Sequence, residues 1–204
     1  MSRLEPRKVE LPDESIVTLC SPTPDDAEKL IAYLDTIRRE SQGIMFSPED
    51  DLPSVEWERD WIEQRNANPQ NLMLGAWSGD RLIGLGNVSG GGKFARAQHR
   101  AELGISLSRE WWGRGLGTRL LETLIEFAVA DESIHVLRLC VYSFNQRAIK
   151  LYERCGFERE GARRWSVRFS DGTYADEIQM SRWVGPTTTP ASRTHDPLLR
   201  TSHD

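Results

Sequence analysis

The stretch Leu103-Gly-Ile-Ser-Leu-Ser-Arg-Glu-Trp-Trp-Gly-Arg-Gly-Leu-Gly-Thr118 constrains the fold more than any other part of the 204-residue chain. It opens as a short apolar run and closes on Gly113, Gly115 and Gly117. From Leu116 the apolar residues Leu116, Leu120, Leu121, Leu124, Phe127 and Ala128 recur at helical spacing. This predicts a strand, a glycine turn and an amphipathic helix reaching about Ala130. A helix that begins inside such a turn presents unpaired N–H groups and the positive end of its dipole, which suits a phosphate or pyrophosphate. Glycines lack a Cβ and let the backbone approach that group closely. Taken alone, they fit a structural turn equally well.

Two phosphate motifs can be tested against the chain. The dinucleotide fingerprint wants G-x-G-x-x-G, whereas residues 113–117 read G-x-G-x-G, and the following strand carries Cys140-Val-Tyr where an acidic residue would stand. The P-loop wants Lys and Ser or Thr after its last glycine, and Gly117 is followed by Thr118-Arg119. Gly90-Gly-Gly-Lys93 fails as well, because position 87 is Asn87 and Lys93 precedes Phe94; it reads as a hairpin loop. A nucleotide-binding protein of either kind is therefore disfavoured.

Bulk properties narrow the remaining classes. A net charge of −5 supplies no basic field for nucleic acid. Cys20, Cys140 and Cys155 are an odd set without CxxC spacing, which suggests reduced thiols in a cytoplasmic protein. Four scattered His residues lack ligand spacing, so no metal is expected, and no apolar stretch approaches a membrane span. One α/β (α+β) domain is expected over residues 15–184, with a loose polar lead-in at 1–14 and a flexible tail at 185–204 that opens Gly-Pro-Thr-Thr-Thr-Pro.

Along the chain, Ser15–Cys20 is β-type, and a helix capped by Thr23 or Asp25 runs to about Glu40. Gly43–Ser54 is an irregular segment whose Glu49-Asp50-Asp51 cluster is either a solvated loop or a wall attracting a substrate amine. Val55–Asn66 is a helix with Trp57, Trp61 and Ile62 on one face. Asn71–Trp77 and Arg81–Val88 form a hairpin, and Ala97–Leu107 is the strand that enters the glycine turn. His135–Tyr142 follows the long helix, giving a parallel crossover. A short helix over Asn145–Arg154 precedes two alternating strands, Phe157–Phe169 and Tyr174–Trp183.

Two motifs thus stand in order with a strand between them: Trp112-Gly-Arg-Gly-Leu-Gly117, and Asn145-Gln-Arg-Ala148-Ile-Lys-Leu-Tyr152-Glu-Arg-Cys-Gly156-Phe157. Together they resemble the GCN5-related N-acetyltransferases. The match is strong from about His99 to Trp183, and the closing Gly156–Gly161 and Asp171–Glu177 patterns look like the branch of ribosomal-protein N-terminal and small-amine acetyltransferases. The family motif usually begins with Gln or Arg; Trp112 here removes one polar side chain. The resemblance implies acetyl-CoA as co-substrate, an amine acceptor, no metal, and a mostly antiparallel seven-stranded sheet with a splayed parallel pair forming the acyl-CoA cleft. It leaves a homodimer open.

Carried over by position, the resemblance implies that Ile105, Ser106 and Leu107 pair with the pantetheine amides. It places the pyrophosphate on the backbone of Trp112, Gly113, Arg114, Gly115, Leu116, Gly117 and Thr118, with Arg114 as a flexible charge. Asn145 would bond the pantetheine arm, and Tyr152 would face the thioester sulfur as the proton donor. Independently of the family, Asn145, Ala148 and Tyr152 at i, i+3 and i+7 share one helix face, with a small residue between two polar ones. Asn145 also suits an N-cap. A backbone N–H near Leu107 is the expected oxyanion donor. Glu102, alternating with Gly104 and Ser106, is the candidate base through a water, or else a surface ion-pairing residue; Asp176 and Glu177 are further candidates. Cys155 is the cysteine expected nearest the site, packed rather than reactive, so direct transfer is expected over an acyl-enzyme. The alternative is a non-catalytic acyl-CoA sensor or interaction module on the same fold.

Overall fold

The computed structural model describes residues 3–92 and 94–186. The short strand β1 (Arg7–Glu10) leads to β2 (Ile16–Cys20) and then helices α1 (Ala27–Glu40) and α2 (Val55–Ala67). Strands β3 (Asn71–Ser78), β4 (Arg81–Ser89) and β5 (Arg100–Leu107) precede α3 (Leu116–Ala130). The chain closes with β6 (Val136–Tyr142), α4 (Gln146–Arg154), β7 (Glu158–Arg168) and β8 (Tyr174–Trp183). The strands form one sheet in the order β1-β2-β3-β4-β5-β6-β8-β7. Every neighbouring pair is antiparallel except β5 and β6.

The sheet is covered on both faces, and β3 makes this plain. Its residues Asn71–Trp77 are all buried. Leu72, Leu74 and Ala76 join the core beneath α3, with Leu116, Leu120, Leu121 and Leu124. Met73 and Trp77 point the other way, into a second core with Leu30, Tyr33, Ile37 and Ile62 of α1 and α2. Period-two alternation in the strands meets period-3.6 stripes on the helices, so each face buries its own apolar set.

Two expectations about the termini and the sheet need correcting. The polar lead-in contains β1, so the sheet has eight strands rather than seven. Val9 is the one inward residue of that strand, and Arg7, Lys8 and Glu10 stay outside, a charged edge with too little apolar alternation to be read from sequence. Leu4 and Ser21 also exchange hydrogen bonds at 3.0 Å, fastening the segment ahead of β1. At the other end Gly185 donates to the His135 carbonyl, and the rest of the expected tail, from residue 187, lies outside the described residues.

The crossover β5–α3–β6 positions the site. Pairing between β5 and β6 is confined to Arg100–Glu102 against Val136–Arg138. Beyond it, β5 stays with β4 up to Leu107 while β6 follows β8 up to Tyr142. The two strands part there, and the β6-facing edge of Leu103–Leu107 is left without a strand partner.

Candidate active site

A cavity of about 710 Å³ occupies the gap between the diverging strands. One wall is Gly104, Ile105, Ser106 and Leu107 of β5, and the opposite wall is Cys140 and Val141 of β6 together with α4. Its upper end is the turn from Trp112 to Thr118. Gly113 and Gly115 both adopt left-handed backbone, φ +77° and +88°, a conformation that glycine enters without strain. Among the described residues, no N–H from 113 to 117 makes a backbone hydrogen bond. The helix therefore starts with a run of open donors at its positive end. Gly117 is closely flanked by Leu107 and Leu151, so a side chain there would press apart β5, α3 and α4.

Trp112 does more than replace a polar side chain. Its indole Nε1 donates to the Leu107 carbonyl at 2.9 Å, tying the turn to the end of β5. The Arg147 guanidinium lies 3.5 Å from its ring centroid, and that of Arg109 lies 5.5 Å away, two cation–π contacts on one indole beside the turn. Burial, then the Arg109 charge, lowers the Arg147 value. Arg147 was not singled out by sequence; a charged residue in the first turn of a helix reads as solvated. Arg114, expected to be a flexible charge, is instead ion-paired with Asp13 and stacked at 4.2 Å on Trp111. The Leu116 side chain is fully buried in the core, so its backbone alone faces outward.

Asn145, Ala148 and Tyr152 all line the cavity, as their shared helix face requires. Asn145 Oδ1 accepts from the Ala148 N–H at 3.2 Å, so Asn145 is the N-cap of α4. Its Nδ2 is turned toward Gly43, where a Cβ would come within 3.0 Å. Capping uses the oxygen and leaves the amide N–H groups on the cavity side. Tyr152 is 5% exposed and packs edge-on against Phe157 at 6.0 Å. Burial raises its phenol above the ordinary value, so it stays protonated at neutral pH.

The carboxylates are arranged differently from the sequence expectation. Glu102 is exposed, at the last rung where β5 and β6 still pair, and does not line the cavity. Cys140 lies within the field of Glu102 and Glu177. Burial tends to raise Glu177, but hydrogen bonds from Cys140 and Ser166 and the charge of Arg163 hold it below the usual glutamate value. The cysteine expectation is corrected: Cys140, not Cys155, borders the cavity. Cys155 terminates α4 and faces a separate depression beside Arg182 and Trp183. The reversal follows from the strand, because β6 alternates and turns Cys140 away from the α3 core that holds Leu139 and Val141.

A second cavity of about 930 Å³ adjoins the first on the α1–α2 side. Ile37, Ile44, Met45, Asn87 and Ser106 line both. Tyr33 reaches from α1 to this boundary, where its hydroxyl and Ser106 Oγ are 2.9 Å apart. Burial raises the Tyr33 phenol, and the Ser106 contact only partly offsets it. Among the described residues, no group of three or more His, Cys, Asp or Glu is placed to hold a metal ion.

Comparison with known proteins agrees with this geometry. The sequence pattern of the acetyltransferase (GNAT) family matches residues 34–157. The N-alpha-acetyltransferase RimI of Mycobacterium tuberculosis is 32% identical over 146 residues, covering 72% of this chain and 84% of that protein. Spermidine N(1)-acetyltransferase of Escherichia coli is 33% identical over 81 residues, which span only 40% of this chain and 43% of that protein. The acetyltransferase of GNAT family from Streptococcus pneumoniae superposes with a TM-score of 0.78 at 26% identity, covering 82% of this chain and 99% of that one. YncA, a putative acetyltransferase from Salmonella typhimurium solved with acetyl-CoA, superposes at 0.72 with 20% identity, covering 87% and 99%. The chain belongs to the GNAT family of acetyltransferases, with acetyl-CoA as its acyl donor.

Proposed function

We propose that the protein transfers the acetyl group of acetyl-CoA to a primary amine by direct attack in a ternary complex. The observation that carries this reading is a single cavity joining the open N–H groups of residues 113–117 to Tyr152, between strands that have separated. The turn and helix N-terminus suit the pyrophosphate, helped by the nearby Arg147 and Arg109. The unpaired edge of Ile105, Ser106 and Leu107 and the Asn145 amide suit the pantetheine arm. Arg114 would reach the phosphates only by leaving Asp13.

An alkylammonium has a pKa of roughly 10 and must lose a proton before it attacks. Glu102 takes that proton through a water, since it stands outside the cavity wall. The nitrogen adds to the carbonyl carbon, and a backbone N–H on the free edge of β5 near Leu107 receives the developing oxyanion. As the C–S bond breaks, Tyr152 gives its proton to the departing sulfur. The long match to an N-alpha-acetyltransferase supports a peptide N-terminus as acceptor, and the shorter match to a spermidine acetyltransferase supports a small amine.

The test measures free-thiol release across an amine panel for wild type, Tyr152→Phe and Glu102→Gln. Tyr152→Phe should lower kcat about 10²-fold with acetyl-CoA affinity near wild type, and Glu102→Gln should lower the rate at neutral pH. An unchanged kcat removes the residue concerned from the mechanism. Acetyl-CoA binding with no thiol release on any amine would replace the enzyme reading with that of a sensor.

A further inference from the structure

Helix α2 buries three polar or apolar residues along one stripe, Glu58, Ile62 and Asn66. Ile62 fills the core against α1 and β3. Asn66 donates to the Pro22 carbonyl at 2.9 Å. Glu58 does neither. The residue is 6% exposed; among the described residues its carboxylate has no hydrogen-bond or ion-pair partner, and its oxygens are not fully buried but open toward the cavity. A largely enclosed carboxylate with no protein partner is costly to keep charged, and a cation entering the cavity would relieve that cost. Burial accordingly holds the Glu58 carboxyl above the usual glutamate value.

Glu58 lines the 930 Å³ cavity beside the acyl-CoA cleft. The rest of that cavity is mostly apolar, with Leu30, Leu34, Phe46 and Pro53 around the stacked pair Trp57 and Trp61, whose ring centroids are 6.2 Å apart. The two cavities meet at Ser106 and Asn87, but Glu58 lines only the outer one. A group that meets Glu58 is therefore not the group at the acyl carbon.

We infer that Glu58 selects the acceptor by receiving a second protonated nitrogen, on an amine whose apolar body lies against Trp57 and Trp61 and whose reacting nitrogen reaches Ser106. The inference rests on the N-acetyltransferase reading for the reacting end and on the unpartnered carboxylate for the far end. The ammonium would neutralise Glu58 through a charge-assisted hydrogen bond; the Trp61 ring already carries the Arg65 guanidinium at 5.1 Å, so cation–π attraction along the path would come from Trp57. Asp51, which also lines the cavity, adds attraction of the same sign.

The experiment compares p-xylylenediamine with 4-methylbenzylamine, which has the same ring but lacks the second nitrogen. Wild type should show a kcat/KM for the diamine at least about tenfold higher, carried by KM. Glu58→Gln should bring that ratio close to one. Thermal shift reads binding without turnover: the diamine should stabilise wild type more than the monoamine does, and Glu58→Gln should abolish the difference. Equal use and equal binding of the two amines by wild type would overturn the inference, even with acetyl transfer intact. A Glu58-dependent preference in binding, with no acetyl transfer to either amine, would uphold the inference and sink the catalytic reading instead.

Discussion

Burial decides what each group around the cleft can do. The Tyr152 phenol, enclosed by α4 and Phe157, keeps its proton and can only give it to something that becomes more basic, as a departing thiolate does. Cys140, although on the cavity wall, is pushed up to about 12 by burial and by its hydrogen bond and charge contact with Glu177. At neutral pH it remains a thiol, and a thiol is a poor nucleophile. Cys140→Ala should therefore keep turnover near wild type in steady-state assays. A pre-steady-state burst of thiol release that vanishes in Cys140→Ala would instead point to an acyl-enzyme. Asn145 and Tyr152 were legible in the sequence because helical spacing alone puts them on one face with Ala148. Glu58 and Arg147 were not. Charged residues on helices usually face water, and nothing in one sequence reveals that Glu58 turns inward or that Arg147 lies on Trp112.

At the level of elements, one side chain of α1 ties down the acidic end of the segment between α1 and α2. Arg38, 9% exposed, bonds Asp35 within its own helix and donates to the carbonyls of Pro48 and Asp50. The acidic run Glu49-Asp50-Asp51 is thus neither wholly a solvated loop nor wholly a wall. Asp50 closes a local turn with Ser47, while Asp51 reaches the outer cavity. Because Ile44, Met45 and Phe46 of the same segment wall the outer cavity, Arg38 also fixes the shape of that cavity. Arg38→Ala should destabilise the fold by about 1.5–3 kcal/mol, the range for hydrogen bonds from a charged donor. It should raise the acceptor KM more than that for acetyl-CoA. Denaturant melts and two-substrate kinetics would check both, and equal effects on the two KM values would deny the segment a role in shaping the acceptor pocket. Sequence periodicity located α2 and the face of Trp57 and Trp61 that lines the outer cavity, but not its buried stripe: Trp57 is 55% exposed, and the stripe runs through Glu58, Ile62 and Asn66. Two of those three residues are polar, so hydrophobicity could not mark the stripe.

Across the whole molecule, the proposed donor and acceptor sites lie on different faces of one sheet. The phosphate turn serves the face under α3, the outer cavity serves the face under α1 and α2, and the gap between β5 and β6 connects them. Strand, turn, helix and returning strand could be read directly from residues 103–142, since each carries its own periodicity. The parting of β5 from β6 could not. The course of β6 is set along its whole length by β8, a strand more than thirty residues later in the chain, and such pairing leaves no local mark. The same holds for the amino-terminal segment. Pro12 sits where a Cβ on Gly115 would come within 2.7 Å, and Asp13 holds Arg114 on the neighbouring residue. The glycine turn proposed to anchor the coenzyme is thus buttressed from a distance by residues that a truncation would discard as dispensable. A chain shortened to begin at Glu14 should bind acetyl-CoA more weakly in calorimetric titration; an undiminished affinity would mean that the glycine bend keeps its shape unaided.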